Sequence, residues 1–545
     1  MKKIGAVTIS SGGGSRSGET GPEPVAAPAP ARPVAALGID IGSSNTKVAI
    51  VVVDDGGAVR ELMVRSVPTP DDAVELLGRL AALSRTLLAL TRVTPQAVGI
   101  ASMAETGVPL DAAGEPLSPL IRWNSRRDPA DAERIAGMAG RAELFEATGV
   151  RAGPKAPLAV WAGLRRSEPE LFGAMSRWAG VSDLVALDLT GERGSTGGLV
   201  TDHTLAARTM AYRLPGLGDP LPEAFDPELL ALAGMRPEQL PRIAAPGEPA
   251  GRVSADAAAR TGLPAGIPVI VAGHDHAVGA WGAGVREPGR VADSVGTSEA
   301  LVRILAGSAD RRAVAASGMS LGRDVTGRFE VLLAGSANGG ALVRWWSERF
   351  PGTDLPGLLD AADAAADSAA AAAGAGILLL PYLAGRQTPL PDPHARLRVL
   401  DGDGRELPLE SIAPADAARA LLQGLALHLR WMHVEQRRLA GPSGEGDEPI
   451  TVLGASAASS WLRTKAAIMP SRLQTVAVSE PVASAAALLA AVRTGIASDA
   501  TRLPVRAVPP GAGAVFDRVF DRFVAAAAAA VPVAESSADP GEGGS

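Results

Sequence analysis

LGIDIGSSNTKVAIVVV, Leu37 to Val53, is an apolar run that stops at a small, hydroxyl-rich turn and resumes as a second apolar run. RVADSVGTSEALVRIL, Arg290 to Leu305, repeats the pattern in the second half of the chain. Asp40 stands opposite Ser294, Gly42 opposite Gly296, and Ser43-Ser44 opposite Thr297-Ser298. Each stretch reads as a β-hairpin whose tight turn lets backbone N–H groups and hydroxyls close in on an anion. Two such hairpins predict a duplicated fold whose halves pinch a polyphosphate, an arrangement suited to ATP-driven phosphotransfer.

The chain has 545 residues, too many for one ordinary core, so two large domains are expected. Hydrophobic residues make up 46% and charged residues 20%, the balance of a globular enzyme. A net charge of −7 argues against a nucleic-acid or anionic-membrane surface. There is no cysteine, which excludes disulfides, thiolate catalysis and Cys-ligated metals. No apolar stretch is long enough to span a bilayer. Lys2 and Lys3 are followed by Gly and Ser rather than by the apolar core of a signal peptide, so a cytoplasmic enzyme is the expectation.

Residues 1–35 are Gly-, Ser-, Pro- and Ala-rich and read as a disordered leader. Residues 501–545 read as a low-complexity tail in which Val515 to Ala530 can form one Ala-rich helix. Between them strands and helices alternate, which predicts α/β architecture. The domain boundary is placed near Gly284 to Gly289, giving an N-terminal domain over 36–286 and a C-terminal domain over 287–500. Thr69-Pro70-Asp71-Asp72 predicts a helix start with Thr69 as N-cap, running to about Leu90 with Val74, Leu77, Leu80 and Leu87 buried. Further helices are predicted over Leu158–Arg166, Pro169–Arg177, Ser182–Leu189, Gly339–Arg349, Leu358–Ala372, Pro414–Leu439, Ser459–Met469 and Pro481–Arg493. Strands are predicted over Ala97–Ser102, Ile267–Ala272, Ile377–Leu380, Ile450–Leu453 and Leu473–Val478.

An aspartate that ends a buried strand beside a Gly/Ser loop, as Asp40 does, can hold Mg²⁺ next to phosphate oxygens. Lys47 on the returning strand can reach those phosphates. Without the second copy, an ordinary hairpin with a turn aspartate would explain the first equally well. Asp275, in GHDHAVGAWGAG (Gly273 to Gly284), lies just past the carboxyl end of an apolar strand, where ligands bind in open α/β sheets. A carboxylate there can take the proton of an attacking hydroxyl; a purely structural turn is the rival reading. His274 and His276 flank it on one side of an extended segment, but two ligands do not make a metal site and no third is evident nearby.

These stretches together resemble the FGGY carbohydrate kinases, the glycerol, xylulose and gluconate kinase group. The resemblance runs from about Leu37 to Gly495. It rests on Asp40-x-Gly42-x-x-x-x-Lys47, GIASMAETGVPLDAAGEPLSPLIRWNSRRD (Gly99 to Asp128), GHDH, the second turn, LLLPYLAGRQTPLPDP (Leu378 to Pro393), VLGASAASSWLRTKAAI and EPVASAAALLAA. It implies two actin-like, ribonuclease-H-like domains hinged around an ATP cleft, with ATP and Mg²⁺ as cofactors. It further implies that Asp275 is the catalytic base and that Asp40 serves Mg²⁺–ATP. Gly42, Ser43, Ser44, Lys47, Gly296, Thr297 and Ser298 would face the phosphates, and Gly454 and Ala455 the adenosine. Glu105 and Trp123, with Met103, His274 and Asp275, would meet a small sugar or polyol; a carboxylate accepts from O–H groups and an indole face lies against C–H groups. Core packing for Trp123 and a solvated loop for Glu105 are the plain alternatives.

The chain departs from the family at several positions. Met103-Ala104-Glu105-Thr106 has neither the His of pentulose kinases nor the Arg of glycerol kinases. Ala455, Ala467 and Ala485 replace two glycines and an aspartate. The leading expectation is a xylulokinase-like kinase, possessing a small-molecule sugar substrate and no nucleic-acid or membrane partner, with a homodimer as the default assembly. A non-catalytic sugar sensor that kept the fold is the alternative, and an actin- or chaperone-like ATPase ranks third.

Overall fold

Val34–Ile41 (β1) and Asn45–Val53 (β2) pair antiparallel across the first turn, with Asp40 facing Lys47. β1 is buried along almost its whole length, so it reads as a continuous apolar run rather than an alternating one. The computed structural model describes residues 33–529 except 126, 194–197, 297, 351–353, 365–375, 384, 442–448, 455–458 and 512–515. The expected leader lies outside the described residues up to residue 32, and Val34, assigned to it, already opens β1.

Val59–Pro68 (β3) completes an antiparallel meander, and Ala73–Thr91 (α1) carries the chain to Val98–Ser102 (β4), parallel to β1. A helical insertion follows, with its own core around Trp161 and Tyr212. Val181–Thr190 (α2), Gly251–Arg252 (β5), Pro268–His274 (β6) and Asp275–Gly282 (α3) finish the first half. Its sheet has the order β3-β2-β1-β4-β6-β5.

The second half begins with Val291–Val295 (β7), Glu299–Ile304 (β8), Ser320–Arg323 (β9) and Glu330–Ser336 (β10). Pro414–Ala440 (α4), Ile450–Gly454 (β11), Ser459–Ile468 (α5), Leu473–Val476 (β12), Pro481–Arg493 (α6) and Val505–Ala507 (β13) follow. The order is β9-β10-β8-β7-β11-β12-β13. Leaving aside the extra edge strand β9, both sheets run antiparallel, antiparallel, parallel, parallel, antiparallel. The repeat visible in two turns therefore extends over two whole sheets.

α3 and α6 hold equivalent places, each following the last parallel strand of its sheet. They pack on each other, and α6 crosses to lie on β1 and β4 of the other half. A Cβ added at Gly38 would come 1.8 Å from the Ala483 carbonyl oxygen, and one at Gly99 would come 1.9 Å from that of Ala486. Strand and helix backbones thus touch, which only glycine permits. Where α3 meets α6, a Cβ at Gly282 would lie 2.3 Å from the Ala485 methyl. The methyl that departs from the family pattern occupies space that Gly282 leaves open.

Several expectations need correction. The N-cap of α1 is Asp72, whose carboxylate accepts from the Glu75 N–H at 2.7 Å, and not Thr69. Leu77, Leu80 and Leu87 are buried as expected, together with Ala73, Leu76 and Ser84, but Val74 is 60% exposed. The helix from Pro169 stops at Ala174, because Arg177–Gly180 pairs as a strand with Gly107–Leu110. Leu355–Ala364 is helical, and the rest of the helix expected to Ala372 falls outside the described residues. In the tail the expected helix forms over Asp517–Ala528 (α7), burying Phe523 against Trp431, and a strand that was not expected, β13, edges the second sheet. No helix among the described residues is long and apolar enough to cross a membrane.

Gly99→Val forces its side chain into the α6 backbone and should destabilise the protein by about 1–3 kcal/mol, the usual cost of overpacking. Gly78→Ala on α1, where nothing lies within 4 Å, should stabilise by about 0.5–1 kcal/mol through helix propensity. Urea unfolding of the two variants checks both, and equal midpoints would remove the special status of the α6 contact.

Candidate active site

The first turn is braced from behind. Arg122 donates to the Ser43 carbonyl at 2.6 Å and to the Thr69 and Pro70 carbonyls at 2.7 and 3.0 Å, and pairs with Asp71. Thr69, not needed as a helix cap, donates its hydroxyl to the Gly42 carbonyl at 2.7 Å and meets the Thr46 hydroxyl at 2.9 Å. With its carbonyls occupied from behind, the turn of Gly42, Ser43 and Ser44 faces the cleft.

Asp40 is the penultimate residue of β1 and is 4% exposed, and its Oδ1 has no hydrogen-bond partner. Lys47 Nζ lies 3.5 Å from Asp40 Oδ2 and 2.8 Å from Glu480 Oε2. Burial, reinforced by the charges of Asp275 and Glu480, pushes the Asp40 carboxyl up to about 7 despite Lys47. A buried carboxylate whose Oδ2 faces Lys47 while its Oδ1 has no partner keeps one hard anionic oxygen unclaimed.

The second turn rests on a different lysine. Lys465, from α5, is fully buried and joins Asp293 of β7 to Glu299 of β8, the latter at 2.7 Å. Those carboxylates flank the turn that carries Gly296 and Ser298, both of which line the cleft. Thr297 lies outside the described residues, as does Ala455; Gly454 lines the same cleft.

Asp275 is aimed by a bulge. The β6–β4 register slips between Val271 and Gly273, and Gly273 sits at φ 128°, where a Cβ would meet the Thr204 hydroxyl at 2.5 Å. That hydroxyl accepts from the His274 N–H at 2.9 Å and is itself anchored on Asp202. Asp275 then opens α3, where the helix dipole favours a carboxylate. Burial holds the His274 imidazole well below its ordinary pKa, so it is neutral.

Glu105 takes a left-handed backbone conformation, φ 67°, an outlier that a packed site must hold in place. Its side chain is buried between Arg208 at 2.8 Å and Lys155 at 3.1 Å. Burial acts to raise this carboxyl, but the two cations outweigh it and hold Glu105 below the usual range. It is therefore no solvated loop acid. Trp123 packs partly against the first core and also faces the cleft, with Lys155 5.5 Å from its ring centre. Met103 forms buried wall beside it.

All the described residues expected from the sequence border one cavity of about 560 Å³. Sequence reasoning missed Lys155, Arg208 and Glu480. A signal existed for the first: only five lysines stand in the chain, Lys2, Lys3, Lys47, Lys155 and Lys465. In an arginine-rich protein the last three are the exceptions: Lys47 and Lys155 line this cleft, and Lys465 joins the carboxylates that flank its second turn.

Residues 35–282 match the N-terminal domain of the FGGY family of carbohydrate kinases, and residues 291–494 match its C-terminal domain. The xylulose kinase of Streptomyces coelicolor is 30% identical over 430 residues, 78% of this chain and 79% of that protein. The gluconokinase of Bacillus subtilis is 25% identical over 374 residues, 66% of this chain and 70% of that one. The solved ligand-bound xylulose kinase from Lactobacillus acidophilus superposes with a TM-score of 0.74 at 21% identity, covering 90% of this chain and 96% of its own. The fold is thus the expected pair of actin-like α/β domains around a cleft. The chain belongs to the FGGY family of carbohydrate kinases, ATP-dependent phosphotransferases acting on sugars.

Proposed function

We propose that the cleft transfers the γ-phosphoryl group of ATP to a hydroxyl of a small open-chain sugar, in the manner of a xylulose kinase, in the cytoplasm. The observation that carries this reading is convergence: two anion-cradling turns, Asp275 and the Glu105–Trp123 wall border one cavity. The division of labour follows the two sheets, with sugar and base on 36–286 and adenosine on 287–500.

In this reading Asp275 accepts the proton of the attacking hydroxyl. Gly42, Ser43 and Ser44 from one turn, and Gly296, Thr297 and Ser298 from the other, hold the phosphates from opposite sides. Lys47 offers its charge to the same oxygens. Gly454 and Ala455 border the adenosine. Glu105 accepts hydrogen bonds from sugar hydroxyls, held in place by Arg208 and Lys155, while Trp123, Met103 and the neutral His274 complete the wall. Closure of the two halves over the substrates excludes water and limits wasteful hydrolysis. The residues present fit a divalent cation, because the orphaned Asp40 Oδ1 is the hard oxygen ligand that Mg²⁺ requires. When bound there, Mg²⁺ neutralises charge on the phosphates.

The sensor alternative has lost support. Base and described turn residues stand together on one cavity, and Ala485 fits against Gly282.

Asp275→Asn should lower kcat for sugar-dependent ADP release by about 10²–10⁴-fold with ATP affinity nearly unchanged; retained turnover would refute the base assignment. Glu105→Ala should raise KM for the sugar far more than KM for ATP, and equal effects would take Glu105 out of the sugar pocket. Asp40 is pushed up to about 7 and must ionise to hold a cation, so affinity for Mg²⁺–ATP should fall as pH drops below about 7. Binding at pH 6 should release up to about one proton, and far less at pH 8.5. Calorimetry in buffers of different ionisation heat reads this release, and Asp40→Asn should abolish it.

A further inference from the structure

His274, Asp275 and His276 are consecutive in sequence, but the chain turns between them. His274 ends β6 and Asp275 opens α3, so the three side chains converge instead of alternating. One ligand atom from each, an imidazole nitrogen or a carboxylate oxygen, lies within 4.8 Å of the other two. His274 Nε2 is 3.2 Å from Asp275 Oδ1, and His276 Nε2 is 4.0 Å from the same oxygen. Ligands about 2.1 Å from a shared zinc-class ion stand roughly 3–4 Å from one another. Small side-chain rotations therefore separate the observed arrangement from a ligating one. Among the described residues no other group of histidines and carboxylates meets this spacing.

The second ring nitrogen of His276 strengthens the case. Nδ1 lies 3.0 Å from the Ser294 hydroxyl, the kind of outer hydrogen bond that fixes a ligating imidazole and leaves Nε2 free for the ion. Ser294 belongs to β7, the strand leading into the second turn, so the ring is oriented from the opposite half of the molecule. Two imidazoles and a single carboxylate favour zinc, cobalt or nickel over Mg²⁺, which prefers oxygen alone. The two histidines looked insufficient in the sequence for want of a third ligand; the third is Asp275 between them.

We propose that the His274–Asp275–His276 junction binds a divalent transition metal, distinct from the cation served by Asp40, and that this metal switches the kinase off by occupying Asp275. The binding claim rests on the geometry alone, whereas the inhibition claim rests on Asp275 being the base. With the metal in place, the carboxylate is no longer free to accept the proton of the sugar hydroxyl.

Co²⁺ titrated into the untagged full-length chain with excess Mg²⁺ should give the visible absorption of nitrogen-ligated cobalt at one ion per chain. Zn²⁺ should displace it and Mg²⁺ should not. His276→Gln should weaken Co²⁺ binding at least about tenfold, the loss that even an outer partner causes. The zinc concentration that inhibits sugar-dependent ADP release should rise in proportion. No cobalt spectrum, or the same affinity in His276→Gln, overturns the site and leaves the histidines as mere props for Asp275. Cobalt binding together with zinc-insensitive turnover overturns the switch while the kinase stands. Absence of any sugar-dependent turnover in enzyme freed of transition metals and supplied with Mg²⁺ would instead defeat the kinase reading, with the cobalt spectrum still deciding the site.

Discussion

The rest of the structure hangs on one backbone contact, that of helix α6 on strands β1 and β4. Gly38 and Gly99 give up their side chains so that the Ala483 and Ala486 carbonyls can approach. The contact fixes where both ends of the helix lie. At its N-terminus, Glu61 of β3 accepts from the N–H groups of Ser479 and Glu480 at 3.0 and 3.1 Å and from the Ser484 hydroxyl at 2.7 Å. A carboxylate from one half thereby caps a helix of the other. The same anchoring sets Glu480 beside Lys47. At the C-terminus, Arg493 reaches Asp202 at 3.6 Å, the residue that anchors Thr204 behind His274. The first turn and Asp275 are thus both referred to one rigid rod.

The two hairpins share a design but solve the charge problem differently. In the first, the lysine lies in the hairpin itself and is 26% exposed, between two carboxylates. Its charge can be shared with an incoming anion. In the second, Lys465 comes from a helix and is sealed with two carboxylates at 0% exposure. Such a trio gains little net stability over an apolar core, but it is expensive to disturb. One half of the duplicated cradle is therefore responsive and the other is fixed.

How much of this was legible in the sequence follows from where each signal sits. Strands buried on both faces announce themselves as apolar runs, and small turn residues between them mark the hairpins, so four central strands of each sheet were legible, while β3, β5, β9, β10 and β13 were not. Asp275 was legible because strand, turn and carboxylate are contiguous. Arg208 was not, because its segment carries no turn or strand signal and only the fold brings it to the cleft; Lys155 was marked only by the rarity of lysine, and Glu480 only as the first residue of EPVASAAALLAA. Thr69 was misjudged because the chain spends its hydroxyl on the first turn and caps the helix with Asp72. Val74 was misjudged because Ala73, rather than Val74, joins Leu76, Leu77, Leu80 and Leu87 on the buried face.

The placement of α6 also bears on how the protein is made. A ribosome delivers β1 and β4 early and residues 481–493 only after nearly all of the second half. At roughly 5–20 residues per second, the glycine-lined face of the first sheet waits for tens of seconds before its own cover exists. During that interval the nascent first half presents a bare, apolar strand surface with no side chains at its centre to block a foreign backbone. Its completion is a topological closure, in which a late segment of the polypeptide returns to seal an early one.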